Sequence, residues 1–250
     1  LENIRDALKN DAFVLNYQPI VSLHGKDQEL YDVLIRMKNE DGELINAEEF
    51  FHHANDSTEL MLEIDEWVIS HALSSLTEHH KQHPKTRFFI RLSKATIAKE
   101  DFVDWLLILL REHQLDGSML VFEISETAAI ENLEHAQSVI AKLRNIGCEF
   151  GLEHFGSGLD FSYSLSVLNV DYLKINGSFV ENMAKDTENQ AAVKAIIEMS
   201  KQAGKQSIAE FVSDANSLAL LWRLGVDYAM GYYIHPPAES LDYNFDDDDM

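Results

Sequence analysis

The sequence predicts an α/β protein, a (β/α)8 TIM-like barrel, on three observations. About eight short apolar segments read as strands, amphipathic helical stretches follow most of them, and the chain is 250 residues long. Such barrels commonly use about this length, and strands alternating with helices imply a largely parallel sheet. The first two strands have no helix between them, so that pair is open to an antiparallel arrangement.

In order, Leu1, Ile4 and Leu8 have helical spacing. Phe13 to Val21 reads as a strand broken at Pro19, because proline cannot donate a ladder hydrogen bond. His24-Gly25-Lys26-Asp27 is turn chemistry, Leu30 to Met37 the next strand, and Lys38 to Leu44 a loop. Ala47 to His53 and Glu59 to His80 read as amphipathic helices, Arg87 to Leu92 as a strand and Phe102 to His113 as a helix. A strand over Met119 to Ile124 precedes a helix over Leu133 to Ile146 closed by Gly147. Glu149 to Leu152, Tyr172 to Ile175, Gln206 to Ala209 and Asp227 to Met230 are the remaining strands. Helices over Ala191 to Ala203 and Asn216 to Leu224 end at Gly204 and Gly225. No interior linker, repeat or low-complexity block interrupts this order, so residues 1–245 read as one domain followed by an acidic tail, 246–250.

A hydrophobic content of 46% suits a globular protein with a sizeable core. No apolar run approaches the roughly 20 residues of a membrane span, so no membrane insertion is expected. The single cysteine, Cys148, excludes an internal disulfide framework and fits a reducing cytoplasm. It starts a strand with no activating cation nearby in sequence, and reads as inert. A net charge of −23 argues against general DNA or RNA binding, so an anionic ligand needs local cations. Opening at Leu1 and ending Asp246-Asp247-Asp248-Asp249-Met250, the chain reads as a piece of a longer protein with a solvated acidic end.

The stretch that carries the chemistry is Glu149-Phe150-Gly151-Leu152-Glu153-His154-Phe155-Gly156-Ser157-Gly158, followed by Val170-Asp171-Tyr172-Leu173-Lys174-Ile175-Asn176. The first strand delivers an acid and a histidine to a glycine-rich turn, and the second delivers a lysine. Here the chain resembles the EAL family, the phosphodiesterases of cyclic di-GMP, whose members read Asp-Asp-Phe-Gly-Thr-Gly and Val-Asp-x-Leu-Lys-Ile-Asp. Further matches run in order from Phe13 to Pro237. They are Tyr17-Gln18-Pro19-Ile20-Val21, Asp32-Val33-Leu34-Ile35-Arg36, Ile90-Arg91-Leu92-Ser93, Phe122-Glu123-Ile124-Ser125-Glu126, Ala209-Glu210-Phe211-Val212-Ser213 and Met230-Gly231-Tyr232-Tyr233. The resemblance implies a barrel with one antiparallel strand.

It also implies what the catalytic residues would be. Active members use two Mg²⁺ or Mn²⁺ ions held by carboxylates and one amide. On those positions Glu123 is kept as a possible metal ligand, Glu210 as a ligand or base, and Lys174 beside the attacking water. Asp32 is one methylene shorter than the family's Glu, Arg91 replaces an Asn ligand, and Glu153-His154 replaces Asp-Asp. Ser213 and Met230 lose a carboxylate and an amide. A guanidinium cannot coordinate a cation and repels it, so neither catalysis nor a metal cofactor is expected, and Mg or Mn enters only if the chain is an enzyme after all.

What remains suits binding. The resemblance places Gln18, Asp32, Leu34 and Arg36 on strands that grip the dinucleotide, and Pro237 where the family packs a proline by a guanine. Arg36 is a planar fork for a phosphate or a guanine edge. Phe211 stands where active members have Gly and offers a face for a base, or fills the barrel mouth. Arg91 is expected to lend its charge to the phosphates in place of the metals. Asp32-Val33-Leu34 and Ala209-Glu210-Phe211-Val212 resemble the binding-only FimX-type branch. That resemblance implies a cytoplasmic multidomain signalling protein with a diguanylate-cyclase-like domain upstream, a homodimer, and a PilZ-domain protein partner.

Plainer readings stand beside these. Glu123 can be a buried acid paired with Lys174. His154 reads as a polar loop residue, His52-His53 and His79-His80 as solvated surface, and Trp67, Trp105 and Trp222 as core. Three functions follow: a non-catalytic cyclic di-GMP receptor, a weak metal-dependent phosphodiesterase, or a scaffold that binds only proteins through Glu126 to Leu133 or the outer helices.

Overall fold

A computed structural model describes residues 2–10, 12–39, 42–54, 57–156 and 161–246. The expectations for Leu1, Ser157-Gly158 and Asp247 to Met250 lie outside those residues, as do the side chains of His52 and His53.

The chain begins with α1 (Glu2–Lys9) and the paired strands β1 (Phe13–Ser22) and β2 (Glu29–Lys38). The short β3 (Leu44–Asn46) leads into α2 (Ala47–Ala54) and the long α3 (Thr58–His80). Then come β4 (Thr86–Arg91), α4 (Lys94–Ala98), α5 (Phe102–His113), β5 (Leu120–Ser125), α6 (Glu126–Glu131), α7 (Leu133–Asn145) and β6 (Glu149–Phe155). The last part holds α8 (Phe161–Val167), β7 (Tyr172–Ile175), α9 (Gly177–Val180), α10 (Thr187–Gln202), β8 (Gln206–Ala209), α11 (Ala215–Leu224) and β9 (Tyr228–Ala229).

Strand order β1-β9-β8-β7-β6-β5-β4-β2, with β2 returning to β1, closes an eight-stranded barrel, and β3 lies outside it on β2. From β2 to β9 the barrel pairings are parallel. Strand β1 alone runs the other way, antiparallel to both β2 and β9. This is the reversed strand expected from the missing helix.

Pro19 does not break β1, contrary to the sequence reading. It stays in register opposite Tyr31. Tyr17, of the same parity, exchanges both backbone hydrogen bonds with Ala238, on the side away from β2. The missing N–H of Pro19 therefore points to that side too, and the β1–β2 ladder loses nothing. Strand β3 and helices α4, α6, α8 and α9 are too short to show a period, and the sequence did not resolve them.

Two apolar layers sandwich the barrel wall. Outward residues such as Tyr31, Val33, Ile35, Phe88, Ile90, Phe122 and Leu173 pack against the helices. Inward residues Ile20, Leu30, Phe89, Val121, Tyr172, Ile208, Tyr228 and Met230 fill the interior as a separate cluster. The helices are fixed by caps: Ser57 accepts from Leu60 N ahead of α3, and Asp214 from Ser217 N ahead of α11. The predicted stop glycines Gly147, Gly204 and Gly225 all have positive φ.

Trp67 and Trp105 pack partly buried on the core, but Trp222 is 57% exposed. The inward residues of α11 are Ser217 and Leu221, and the residue next to Leu221 lies about 100° around the helix, off that stripe. His79 is not solvated surface either. It continues the buried stripe Ile69, Leu73, Leu76 of α3, and its ring meets Tyr31 edge-on at 6.2 Å. Cys148 is buried, and burial pushes its thiol up to about 12. No helix among the described residues is long and apolar enough to cross a membrane.

After β9 the chain turns at Gly231, where an added Cβ would lie 2.3 Å from Val212 N and O. Val212 is tied there, donating to Met230 O and accepting from Tyr233 N. Gly231→Ala is therefore expected to lower the melting temperature by about 2–12 °C, from an overpacking cost of about 1–3 kcal/mol. Gly204→Ala, with nothing within 4 Å of its Cβ, carries only the backbone penalty and falls less. Differential scanning calorimetry on the two variants checks this.

Candidate functional site

Strand alternation builds the site. Each inward apolar residue is followed two positions later, toward the carboxyl ends of the parallel strands, by another inward residue. Phe89 is followed by Arg91, Val121 by Glu123 and Tyr172 by Lys174, and Leu30 and Ile208 by Asp32 and Glu210. On β6 the corresponding residues are Gly151 and Glu153. A Cβ on Gly151 would meet Glu123 Oε1 at 3.2 Å, so the glycine leaves room for that carboxylate. The barrel thus has an apolar floor and a charged layer above it, at the end where such barrels carry their sites.

Lys174 is the centre of this layer. It is fully buried, above the Phe89 ring, and donates to Glu123 Oε2 at 2.7 Å and Asp32 Oδ1 at 2.9 Å. Burial opposes its charge, but Asp32, Glu123, Glu153 and Glu210 outweigh that and raise its pKa well above the ordinary value. The ammonium stays protonated. The acids do not gain equally. Burial raises both Asp32 and Glu123, and Lys174 offsets only part of it. Pairing of Glu123 with Lys174, the structural reading of this acid, is what the geometry gives.

Arg91 lies beside this pair on β4, in register with Glu123. Its side chain is 50% exposed, and Nε is 2.8 Å from the buried Glu153 Oε2, an ion pair without hydrogen-bond alignment. Burial works against ionised Glu153, but Arg91, then Lys174 and His154, hold its carboxyl below the ordinary value. His154 is the penultimate residue of β6, not a loop residue. It takes φ +52° at the irregularity between Leu152 and Phe155, and the strand runs three residues past the end at Leu152 that the sequence predicts.

Glu210 follows β8 and is pushed up to about 8 by burial, with Lys174 opposing. Three buried oxygens, Glu123 Oε1, Glu153 Oε2 and Glu210 Oε2, have no hydrogen-bond partner. Met230 joins the apolar floor, and Ser213 is exposed.

The rim residues are placed separately. Gln18 is buried opposite Asp32 and donates to His235 O at 3.0 Å. Pro237 precedes Ala238, which bridges to Tyr17 of β1. Leu34 and Arg36 share the Asp32 face of β2 farther toward the rim, half-buried, and Arg36 Nη1 donates to Ile35 O. Phe211 is 52% exposed with φ +56°, and its ring covers Gly177, whose Cβ would fall 1.7 Å from it. It does not plug the barrel interior. For a bulky side chain this backbone is strained, by about 1–3 kcal/mol.

Two anchoring roles went unread in the sequence, those of Asp65 and Glu126. Asp65, buried in α3, accepts from Ser93 N at 2.8 Å and Thr96 Oγ1 at 2.6 Å, anchoring the chain just past Arg91. Glu126 accepts from Gly156 N and Ser164 Oγ, anchoring the chain just past Glu153. Asp65 falls midway between Met61 and Ile69 on the apolar stripe, a spacing that could have flagged it. The buried Glu126 is therefore no docking contact, which removes the first residue of the proposed scaffold segment Glu126 to Leu133.

Fold and cluster define a class, the (β/α)8 barrels with one reversed strand and a lysine–carboxylate centre at the carboxyl ends of the others. The chain belongs to the EAL domain family, whose model matches residues 1–237. It is 35% identical to the cyclic di-GMP-bound FimX EAL domain of Pseudomonas aeruginosa, with TM-score 0.91 and 98% of each chain covered. The corresponding Xanthomonas citri FimX complex gives 30%, TM-score 0.89, and coverage of 98% and 95%. The cyclic di-GMP phosphodiesterase PdeF of Escherichia coli is 31% identical over 97% of this chain but only 32% of its own length. The chain thus spans about a third of that relative, and 28% of the Shewanella oneidensis phosphodiesterase PdeB, which is also 31% identical and matches 96% of this chain.

Glu210 gives a pH test. Its carboxyl goes from 4.5 to about 8, so between those values the folded chain keeps a proton that the unfolded chain releases. This contribution to stability falls as pH rises through that window, by at most about 5 kcal/mol. Glu210→Gln removes the titration. In EDTA its melting temperature should exceed wild type at pH 9, with the gain shrinking toward pH 5. A gain that does not change with pH counts against the assignment.

Proposed function

We propose that this chain is a receptor module that binds cyclic di-GMP without metal ions and without hydrolysing it. The observation that carries this reading is the half-exposed Arg91 guanidinium, 2.8 Å from Glu153, beside a buried Lys174 that already engages Asp32 and Glu123. Two hard divalent ions need these carboxylate oxygens in near-octahedral shells. A cation at the Arg91 position repels them, and Met230, packed into the apolar floor, supplies no hard oxygen donor. The donor set therefore does not fit a metal pair, and no step is derived through one. The exposed guanidinium suits a phosphate, as a charge-assisted donor.

The FimX EAL domains bound to cyclic di-GMP support the same ligand for this chain. Gln18, Asp32, Leu34, Arg36, Arg91, Glu210, Phe211 and Pro237 are the residues assigned to it. Homodimerisation, a PilZ-domain partner and a cytoplasmic setting belong to this reading as well.

One observation favours a second reading, a metal-dependent phosphodiesterase. Glu123 Oε1 and Glu210 Oε2 are buried without a hydrogen-bond partner, as acceptors awaiting a cation would be, and PdeF and PdeB are named as phosphodiesterases.

Calorimetry with cyclic di-GMP in EDTA separates the two, followed by chromatography after Mg²⁺ or Mn²⁺ is added. The expected result is binding in EDTA and no linear dinucleotide with metal. Binding or turnover only with metal overturns the proposal, and no heat in either condition leaves a protein scaffold. Arg91→Ala should weaken binding at least tenfold, about 1.4 kcal/mol.

Phe211→Gly tests the strained aromatic. Relief of its left-handed backbone should leave stability unchanged or raise it by about 1 kcal/mol. Loss of a stacking face, worth about 1–3 kcal/mol per base, should weaken binding about tenfold. A variant that binds as well as wild type assigns Phe211 to packing on Gly177 alone.

A further inference from the structure

At the opposite end of the barrel, away from the charged layer, a second group of ligating side chains comes together. Glu29 opens β2, His79 lies in the last turn of α3, and His83 stands in the turn that leads to β4. One ligand atom from each residue lies within 4.8 Å of the others. His83 Nδ1 is 3.3 Å from Glu29 Oε2, and His79 Nε2 is 4.0 Å from the same oxygen. Thr86 Oγ1 donates to Glu29 Oε2 at 2.6 Å and fixes the carboxylate. His79 has only 11% of its side chain exposed, and its Nε2 is buried with no hydrogen-bond partner.

We propose that Glu29, His79 and His83 form a binding site for a first-row divalent transition metal, represented by Zn²⁺, with water completing the shell. Two imidazoles and one carboxylate are a donor set this borderline ion takes, at about 2.0–2.2 Å per bond. Mg²⁺ and Ca²⁺ are poor fits, since they prefer all-oxygen shells. Donors on a tetrahedral ion are about 3.3 Å apart, already the His83–Glu29 separation.

One adjustment is required. The two rings stack in parallel, 5° apart with centroids at 4.3 Å, so their in-plane lone pairs do not converge. His83, 46% exposed, is the ring with room to turn. The largely enclosed His79 and the fixed Glu29, 4.0 Å apart at Nε2 and Oε2, supply the other half of the site. The ion would clip the turn before β4 onto the start of β2, and the net charge of −23 favours a cation throughout. The site shares no residue with the cyclic di-GMP cluster and stands independently of that reading.

The test is calorimetric titration of the full chain, first stripped with EDTA and dialysed, with ZnCl₂, together with a thermal-shift series. Expected is one Zn²⁺ per chain with micromolar or tighter affinity and a rise in melting temperature of several degrees. His83→Ala should weaken Zn²⁺ at least tenfold and abolish the rise. His135→Ala, at an exposed histidine on α7, should change neither. Zn²⁺ bound equally well by His83→Ala, or no stoichiometric binding by wild type, overturns the site.

Discussion

The buried ammonium of Lys174 is the constraint on which the upper half of the barrel depends. A barrel interior next to a layer of Phe89, Val121, Tyr172 and Ile208 is a costly place for carboxylates. Asp32 and Glu123 are held there by one fixed cation that donates to both and offsets part of their burial. That cation arrives on a four-residue strand whose other side packs Leu173 and Ile175 into the outer core. Chemistry and packing are therefore carried by the same alternation. Moving any of these strands by one residue would turn a charge into the helix layer and an apolar side chain into the mouth.

Around that centre, the molecule departs from symmetry where ligand chemistry is concentrated. His154 and Phe211, two of four non-glycine residues with positive φ among those described, flank β6 and β8 at the mouth. Strain held at such positions needs surrounding structure to over-determine it. Here the anchors are Glu126 on Gly156, Gly177 beneath the Phe211 ring, and Gly231 against Val212. Phe211 adopts a left-handed backbone that glycine takes more readily than a bulky side chain.

Much of this was legible in the sequence, and the reasons are physical. Short apolar strands bounded by polar or glycine residues stand out in the sequence, and both β7 and β8 have the bounds read from the pattern. The convergence of Asp32, Glu123, Lys174, Glu153, Arg91 and Glu210 followed from ordered motifs on neighbouring strands. Contacts between distant residues were not legible. Asp65 on Ser93 and Glu126 on Ser164 are separated by 28 and 38 positions, and no local pattern couples them. The persistence of β1 through Pro19 depends on which edge its N–H would face, known only once Ala238 is seen pairing with Tyr17. Trp222 and His79 depart from the expectation because position on the helix stripe, not residue type, sets their exposure.

The reversal of β1 has a consequence for how the barrel is entered. Phe13 lies opposite Met37, at the carboxyl end of β2, and Ile20 opposite Leu30 near its start. The polypeptide therefore comes in over the face that carries the charged layer and not from underneath, as it would if β1 ran with its neighbours. Helix α1, whose Arg5 pairs with Glu59 at the start of α3, sits at that same end. The first helix and the charged mouth thus share one doorway.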